Sequence, residues 1–284
     1  MCFRWVVRNR ALKGIFMVLF CVLLTGGCES THKIASEPPS QLLKGYLALK
    51  DLPNSVVLIP KVPGPDSAEF ALDREMSHYF IKLKGTERWY LAIADANLHF
   101  PEAAGTFSCS LNAPISKAET PILYRMLQKT VIDAGLSTYN AKDEYERVRP
   151  FIQNKLPSCT PEEEARLKYS GSYPSGHTAI GWAWALILSN MAPDRADKIK
   201  LRGKAFGESR MVCNVHWNSD VLAGRTVGTA VVEKLFSNQE FLSDLALAKE
   251  ELAMIRKKNL PPTRDCMAES DALAIKLELT VQPD

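Results

Sequence analysis

Residues 177–193, HTAIGWAWALILSNMAP, constrain this chain more than any other stretch. A helix written over them is apolar nearly all round, leaves no face for water, and should therefore be buried. Pro193 stops it. Runs with the alternating pattern of strands are nearly absent, and helical spacing recurs along the chain. DSAEFALDREMSHYFIKLK begins with a capping residue at Asp66 or Ser67. SKAETPILYRMLQKTVIDAG sets Glu119 three residues after Ser116, the pattern of a capping box, and ends at Gly135. TPEEEARLKYSGS, from Thr160, holds acids in its first turn and Lys168 late. Residues 194–236 predict two helices divided near 205–212, and 238–259 predict a last amphipathic one. The four prolines of PNSVVLIPKVPGPDS, residues 53–67, predict an extended loop instead. The expectation is an all-α protein, a single compact helical domain over 46–258, followed by a loose C-terminal tail over 259–284.

The first 27 residues follow a different rule. They carry Arg4, Arg8, Arg10 and Lys13 and no acid, then ten apolar residues from Ile15 to Leu24. Ten is too few for a comfortable span, which needs ~20, but it suits a secretory signal with its basic leading region. TGGC follows, and Cys28 resembles the lipidated first residue of a bacterial lipoprotein. Residues 1–27 are thus expected to be a signal peptide, Cys28 a lipidation site, 28–45 a polar tether, and the compartment periplasmic, with the membrane met through the N-terminal lipid. An integral lipid enzyme would need several spans, and this chain has one apolar run of signal type. Charge has to be counted after the signal is removed. The whole chain has 35 basic and 32 acidic residues, a net +3. Without the four leading cations it has 31 against 32, or −1, so no nucleic acid is expected as a structural partner. Cys109, Cys159, Cys213 and Cys266 remain in the mature part. In an oxidising compartment they allow two disulfides in three pairings.

Three clusters carry the chemistry. AKDEYERVRPF, residues 141–151, supplies Lys142, Arg147 and Arg149. YPSGHT, residues 173–178, places Ser175 and Gly176 at a helix start with His177 beside them. ESRMVCNVHWNSD, residues 208–220, spaces His216 and Asp220 four apart, on one face of a helix. A carboxylate there can accept from Nδ1 of His216 and leave Nε2 free. Together they make a list for a four-oxygen anion: helix N–H groups, forked arginines and a lysine, and one histidine to attack with another to protonate a leaving oxygen. No carboxylate cluster for catalytic magnesium or zinc appears, so neither metal nor cofactor is expected. His32, His78 and His99 have no such company. Trp182, Trp184 and Trp217 are expected in the core.

Lys142 with Arg149-Pro150 seven residues on, then Pro174-Ser175-Gly176-His177, then Ser209-Arg210 with His216 and Asp220, resemble the three-part signature of the type 2 phosphatidic acid phosphatase superfamily, which includes vanadium haloperoxidases. GSYPSGHTAIGWAWAL and SRMVCNVHWNSDV are closer still to bacterial class A non-specific acid phosphatases. The resemblance implies an exported, metal-independent acid phosphatase of that helical fold, acting on small phosphomonoesters through a phosphohistidine. It implies that His216 is the nucleophile, Asp220 its orienting partner, and His177 the general acid and then base. It further implies that Lys142, Arg149, Arg210, Ser175 and Gly176 hold the phosphoryl oxygens. Arg147 misses the motif position and is expected on the surface. A vanadate-dependent haloperoxidase and a non-catalytic phosphate-binding envelope lipoprotein stay open as alternatives, as do a homodimer and the physiological substrate.

Overall fold

The structure is a computed structural model that describes residues 43–275. The expected signal peptide, the Cys28 lipidation site, most of the tether and the last nine residues lie outside them.

The described residues are helical, with no strand among them. The principal helices are α1 (Ala68–Ile81), α2 (Glu87–Ala96), α3 (Pro121–Leu136), α4 (Tyr139–Tyr145), α5 (Gly176–Met191), α6 (Ala196–Val212), α7 (Asn218–Leu235), α8 (Gln239–Lys258) and α9 (Cys266–Ala274). The apolar α5 is the axis. It packs against α3, α6 and α7, and Ala179, Ala183, Trp184, Ala185, Ile187 and Leu188 on it are completely buried. Trp184 also anchors α3, donating its indole N–H to the Leu127 carbonyl at 3.1 Å.

Local signals explain most of the ends. Ser67 caps α1 by accepting from the Phe70 N–H, and Asn238 caps α8 by accepting from Phe241 N–H. Ser116 accepts from the Glu119 N–H, but α3 itself begins later, at Pro121. There the carboxylate of Glu251, on α8, takes the N–H groups of Ile122 and Leu123 at 3.0 Å each. The cap is supplied by a distant helix, which local spacing does not reveal. The division of 194–236 also falls later than expected. α6 runs to Val212, and the break is the segment 213–217, where Asn214 adopts a left-handed φ of 59°. The proline-rich 53–67 is open except for one turn at Ser55–Leu58, capped by Asn54.

Two glycines set how closely α7 meets α5. A Cβ on Gly224 would stand 2.6 Å from the Ser175 carbonyl oxygen, and one on Gly228 would stand 2.5 Å from that of Ala179. Only bare backbone allows this approach. It brings the start of α7 to the start of α5, where the Ser175 N–H donates to the Asp220 carbonyl at 2.9 Å.

Cys109 pairs with Cys266, and Cys159 with Cys213. The first corrects the expectation of a loose tail. Asp265 caps α9 by accepting from Met267 and Ala268 N–H groups, α9 packs on α2, and the disulfide ties it to the body of the protein.

Candidate active site

Lys142, Arg149, Gly176, His177, Arg210 and His216 line one cavity of about 570 Å³. Each arrives there for a local reason. Arg149 precedes Pro150, which forces it extended at φ −78°, ψ 152°. Val148 is exposed while Arg147 and Arg149 are buried, the inward-outward alternation of extended chain. Lys142 lies on α4 and donates to the Gly171 carbonyl at 2.8 Å. His177 is the second residue of α5. Arg210 sits in the last turn of α6, and His216 just before α7.

The imidazole of His216 is held at both ends. Its Nδ1 lies 3.2 Å from Oδ2 of Asp220, which also accepts the Trp217 N–H at 2.8 Å. Its Nε2 lies 3.2 Å from Nη1 of Arg149. A guanidinium only donates, so Nε2 carries the lone pair and Nδ1 the proton. The ring of His177 is fixed the other way round. Its Nε2 is 2.9 Å from the Ala96 carbonyl, an acceptor, so Nε2 holds a proton and Nδ1 is the free nitrogen.

Arg149 spends its donors on the carbonyls of Leu167, Ser170, Gly171 and Val215 and meets no carboxylate among the described residues. Arg210 has less. It is 2% exposed, yet its Nε and Nη1 have no hydrogen-bond partner among the described residues. A buried cation without compensation is costly unless an anion meets it. Burial, reinforced by Arg149, pushes Arg210 down to about 10 and Lys142 to about 7. Both histidines are driven well below the ordinary imidazole range, by burial first. Arg210 adds most to this for His177, and Arg149, Lys142 and Arg210 do so for His216.

Ser175 is fully buried and caps α5, its Oγ accepting from the N–H and the hydroxyl of Thr178. It does not line the cavity, whereas Gly176 does. By position the N–H groups of Gly176 and His177 have no acceptor within the helix. Cys213 closes α6, and its disulfide to Cys159 holds the 213–217 break against the segment that follows Cys159, whose Thr160, Glu163 and Arg166 form another wall of the cavity. His99, expected to be incidental, is exposed at this cavity. Trp217 is buried behind the site, donating to the Val148 carbonyl at 2.8 Å. Among the described residues no group of three His, Cys, Asp or Glu is placed to hold a metal ion.

Arg147 is not a surface residue. It is buried, donates to Asp220 Oδ1 at 2.6 Å and to Asp73 Oδ2 at 2.6 Å, and lies against the rings of Phe70, Tyr173 and Trp217. Asp143, Glu144 and Glu146, close before it in the chain, make it resemble a solvated charge and gave the sequence no sign of this. Asp73 sits in α1 among charged neighbours, with nothing local to mark it as buried. Ser209 serves a second network. Its hydroxyl donates to Asp95 at 2.7 Å and accepts from Arg88. Asp95 also takes Arg202, at 2.5 and 3.1 Å. Burial raises Asp95, but Arg202 and Ser209 outweigh it and hold the carboxyl below its ordinary value. Asp95 immediately precedes the carbonyl that fixes His177.

The chain is similar to known proteins along most of its length. Residues 125–240 match the family model described as PAP2 superfamily. The non-specific acid phosphatase of Providencia stuartii is 38% identical over 245 residues, 84% of this chain and 99% of that protein. The non-specific acid phosphatase of Salmonella typhimurium is 35% identical over 242 residues, 85% of this chain and 93% of its own length. An acid phosphatase of Zymomonas mobilis is 37% identical over 192 residues, 67% of this chain and 73% of its own.

Proposed function

This chain belongs to the PAP2 superfamily and, within it, to the bacterial acid phosphatases, and from that premise we propose that it is an exported enzyme hydrolysing small phosphomonoesters through a phosphohistidine on His216. The observation that carries the reading is the guanidinium of Arg210: buried, short of partners, and in one cavity with Arg149, Lys142 and two histidines of opposite tautomer.

The phosphate monoester settles among Lys142, Arg149 and Arg210, with the Gly176 N–H adding to the field of the α5 N-terminus. Ser175, outside the cavity lining, supports that N-terminus as its cap. His216 Nε2 attacks phosphorus as the P–O bond to the leaving group breaks, and His177 Nδ1–H passes its proton to the departing alkoxide. Asp220 meets the positive charge that develops on the His216 ring. In the second half His177 Nδ1 takes a proton from water, the oxygen attacks phosphorus, and the P–N bond returns its electron pair to His216. Phosphoryl transfer proceeds through a loose transition state with charge on the equatorial oxygens, so fixed cations and amides supply most of the acceleration.

The cations that hold phosphate also depress both histidines. A phosphate dianion opposes that depression, so binding raises His177 toward the protonated form that its acid step needs. Activity at acid pH follows from this coupling. Export is supported by the leader composition and by the two disulfides that join Cys109 to Cys266 and Cys159 to Cys213.

His216→Ala abolishes hydrolysis of p-nitrophenyl phosphate and forms no phosphoenzyme. His177→Asn still accepts phosphate from p-nitrophenyl phosphate, whose leaving group needs no proton, and accumulates an acid-labile, alkali-stable phosphoenzyme. Turnover retained in His216→Ala refutes the assigned nucleophile.

A further inference from the structure

His216 stands between two arginines of the same short segment. Arg149 meets its Nε2 directly at 3.2 Å. Arg147, two residues earlier, reaches the other end of the ring through Asp220, whose Oδ1 it holds at 2.6 Å while Oδ2 accepts from His216 Nδ1. Arg147 is itself fixed from behind by Asp73 at 2.6 Å. Asp73 spends the rest of its carboxylate on α7, accepting the Ser219 N–H at 2.7 Å and the Ser219 hydroxyl at 2.6 Å. Arg147 also donates to Ser219 Oγ at 2.7 Å. Asp73 and Asp220 are fully buried, and the Arg147 guanidinium is packed among three aromatic rings.

We propose that Arg147 and Asp73 are positioning residues for the phosphoryl transfer, a chain of paired charge from α1 through the 146–149 segment to α7 that aims Asp220, and through it His216, at the substrate. This rests on His216 being the nucleophile.

The chain does two things that packing alone does not. It dictates which oxygen of Asp220 is left for His216, because Oδ1 is taken and Trp217 N–H and Nδ1–H share Oδ2. It also sets the charge behind the ring. The groups facing His216 are Lys142, Arg149, Arg210 and His177 on the cavity side and Asp220 on the other, with Arg147 and Asp73 behind Asp220. Asp73, Arg147 and Asp220 together carry one net negative charge. Removing Arg147 leaves two negative charges, which favours protonated His216, a form that cannot attack. Neutralising Asp73 leaves none, which favours the neutral ring. Opposite responses to two neighbouring substitutions are a signature of charge, not of lost packing.

The test is the pH dependence of kcat/KM for p-nitrophenyl phosphate in Arg147→Met, Arg147→Lys and Asp73→Asn, with melting temperature recorded for each. Arg147→Met is expected to lower kcat by ~10–100-fold, the usual range for partners of a catalytic ligand, and to move the acid limb up by about one pH unit. Asp73→Asn moves the limb down. Arg147→Lys keeps the limb near its original pH with kcat reduced, since the charge stays and the two-pronged geometry goes. An unchanged limb in Asp73→Asn, or a shift of the same sign in Asp73→Asn and Arg147→Met, overturns the proposal. If Arg147→Met does not fold, Asp73→Asn decides alone, because it is isosteric and keeps one oxygen to accept the Ser219 N–H. His216→Ala separates the two levels. If it stays active, the nucleophile assignment fails; if it is dead while the Asp73 and Arg147 variants show no charge-dependent shift, only this proposal fails.

Discussion

Two sets of buried arginines lie in and around the site and obey opposite rules. Arg147 and Arg202 are each met by carboxylates at 2.6 Å or less, Asp73 and Asp220 for the first and Asp95 for the second. Among the described residues Arg149 and Arg210 meet none; Arg149 has carbonyl oxygens, and Arg210 leaves two nitrogens with no hydrogen-bond partner. The first set is neutralised, Arg202 also by Glu269 at 3.2 Å from an Nε that makes no hydrogen bond, and serves as scaffold. The second set lacks that neutralisation and lines the cavity. Burial by itself separates nothing here, since Arg202 and Arg210 are both 2% exposed. Compensation does.

The comparison breaks if the paired set proves dispensable. Arg202→Met removes the main partner of a fully buried carboxylate, and breaking such a pair costs about 3–5 kcal/mol. Urea unfolding should show that loss, and a midpoint within error of wild type would place Asp95 in water. The unpaired set should respond in the reverse sense. Arg210→Met is expected to lower kcat/KM by ~10²–10³-fold, the scale of losing one donor to transition-state charge. It should also raise thermal stability by ~1–3 kcal/mol, because an uncompensated buried charge leaves an apolar environment. A variant that loses both activity and stability would mean that Arg210 has a structural partner. The smallest effect belongs to charges that are neither buried nor unpaired. Arg166 and Glu163 pair at 2.9 Å at the cavity wall, Arg166 well exposed and Glu163 partly so, so Glu163→Gln should change stability by less than about 1 kcal/mol. A larger change in a melting curve would show that exposure misjudges this pair.

The same contrast explains what the sequence disclosed. The helical architecture was legible from α5, whose apolarity on every face requires neighbours on every face. The cavity-lining residues were legible because their types are unusual together: Lys142, Arg149, Arg210, His177 and His216 suggest an anion from the sequence alone, and one cavity collects them. The paired set was not legible. Arg147 stands beside Glu144 and Glu146 and resembles a solvated charge, and its true partners lie 74 and 73 residues away. Asp73 resembles any acid on an amphipathic helix. Charge satisfied over long range leaves no local trace, whereas charge left unsatisfied has to be concentrated in motifs. Helix boundaries failed for the same reason, as with α3, whose N-terminal cap is Glu251.

Sulfate binding to the free enzyme at pH 8 and pH 6, compared with Arg210→Met, tests the central claim most directly, because sulfate is a tetrahedral dianion with no titration of its own in that range. Lys142, held near 7 by burial and Arg149, and the two depressed histidines are less protonated at the higher pH, and a bound dianion raises all three. Binding should therefore tighten as the pH falls, with net proton uptake in calorimetry, and should weaken sharply in Arg210→Met. Sulfate affinity that is independent of pH, or equal in wild type and Arg210→Met, would contradict a site built from uncompensated charge.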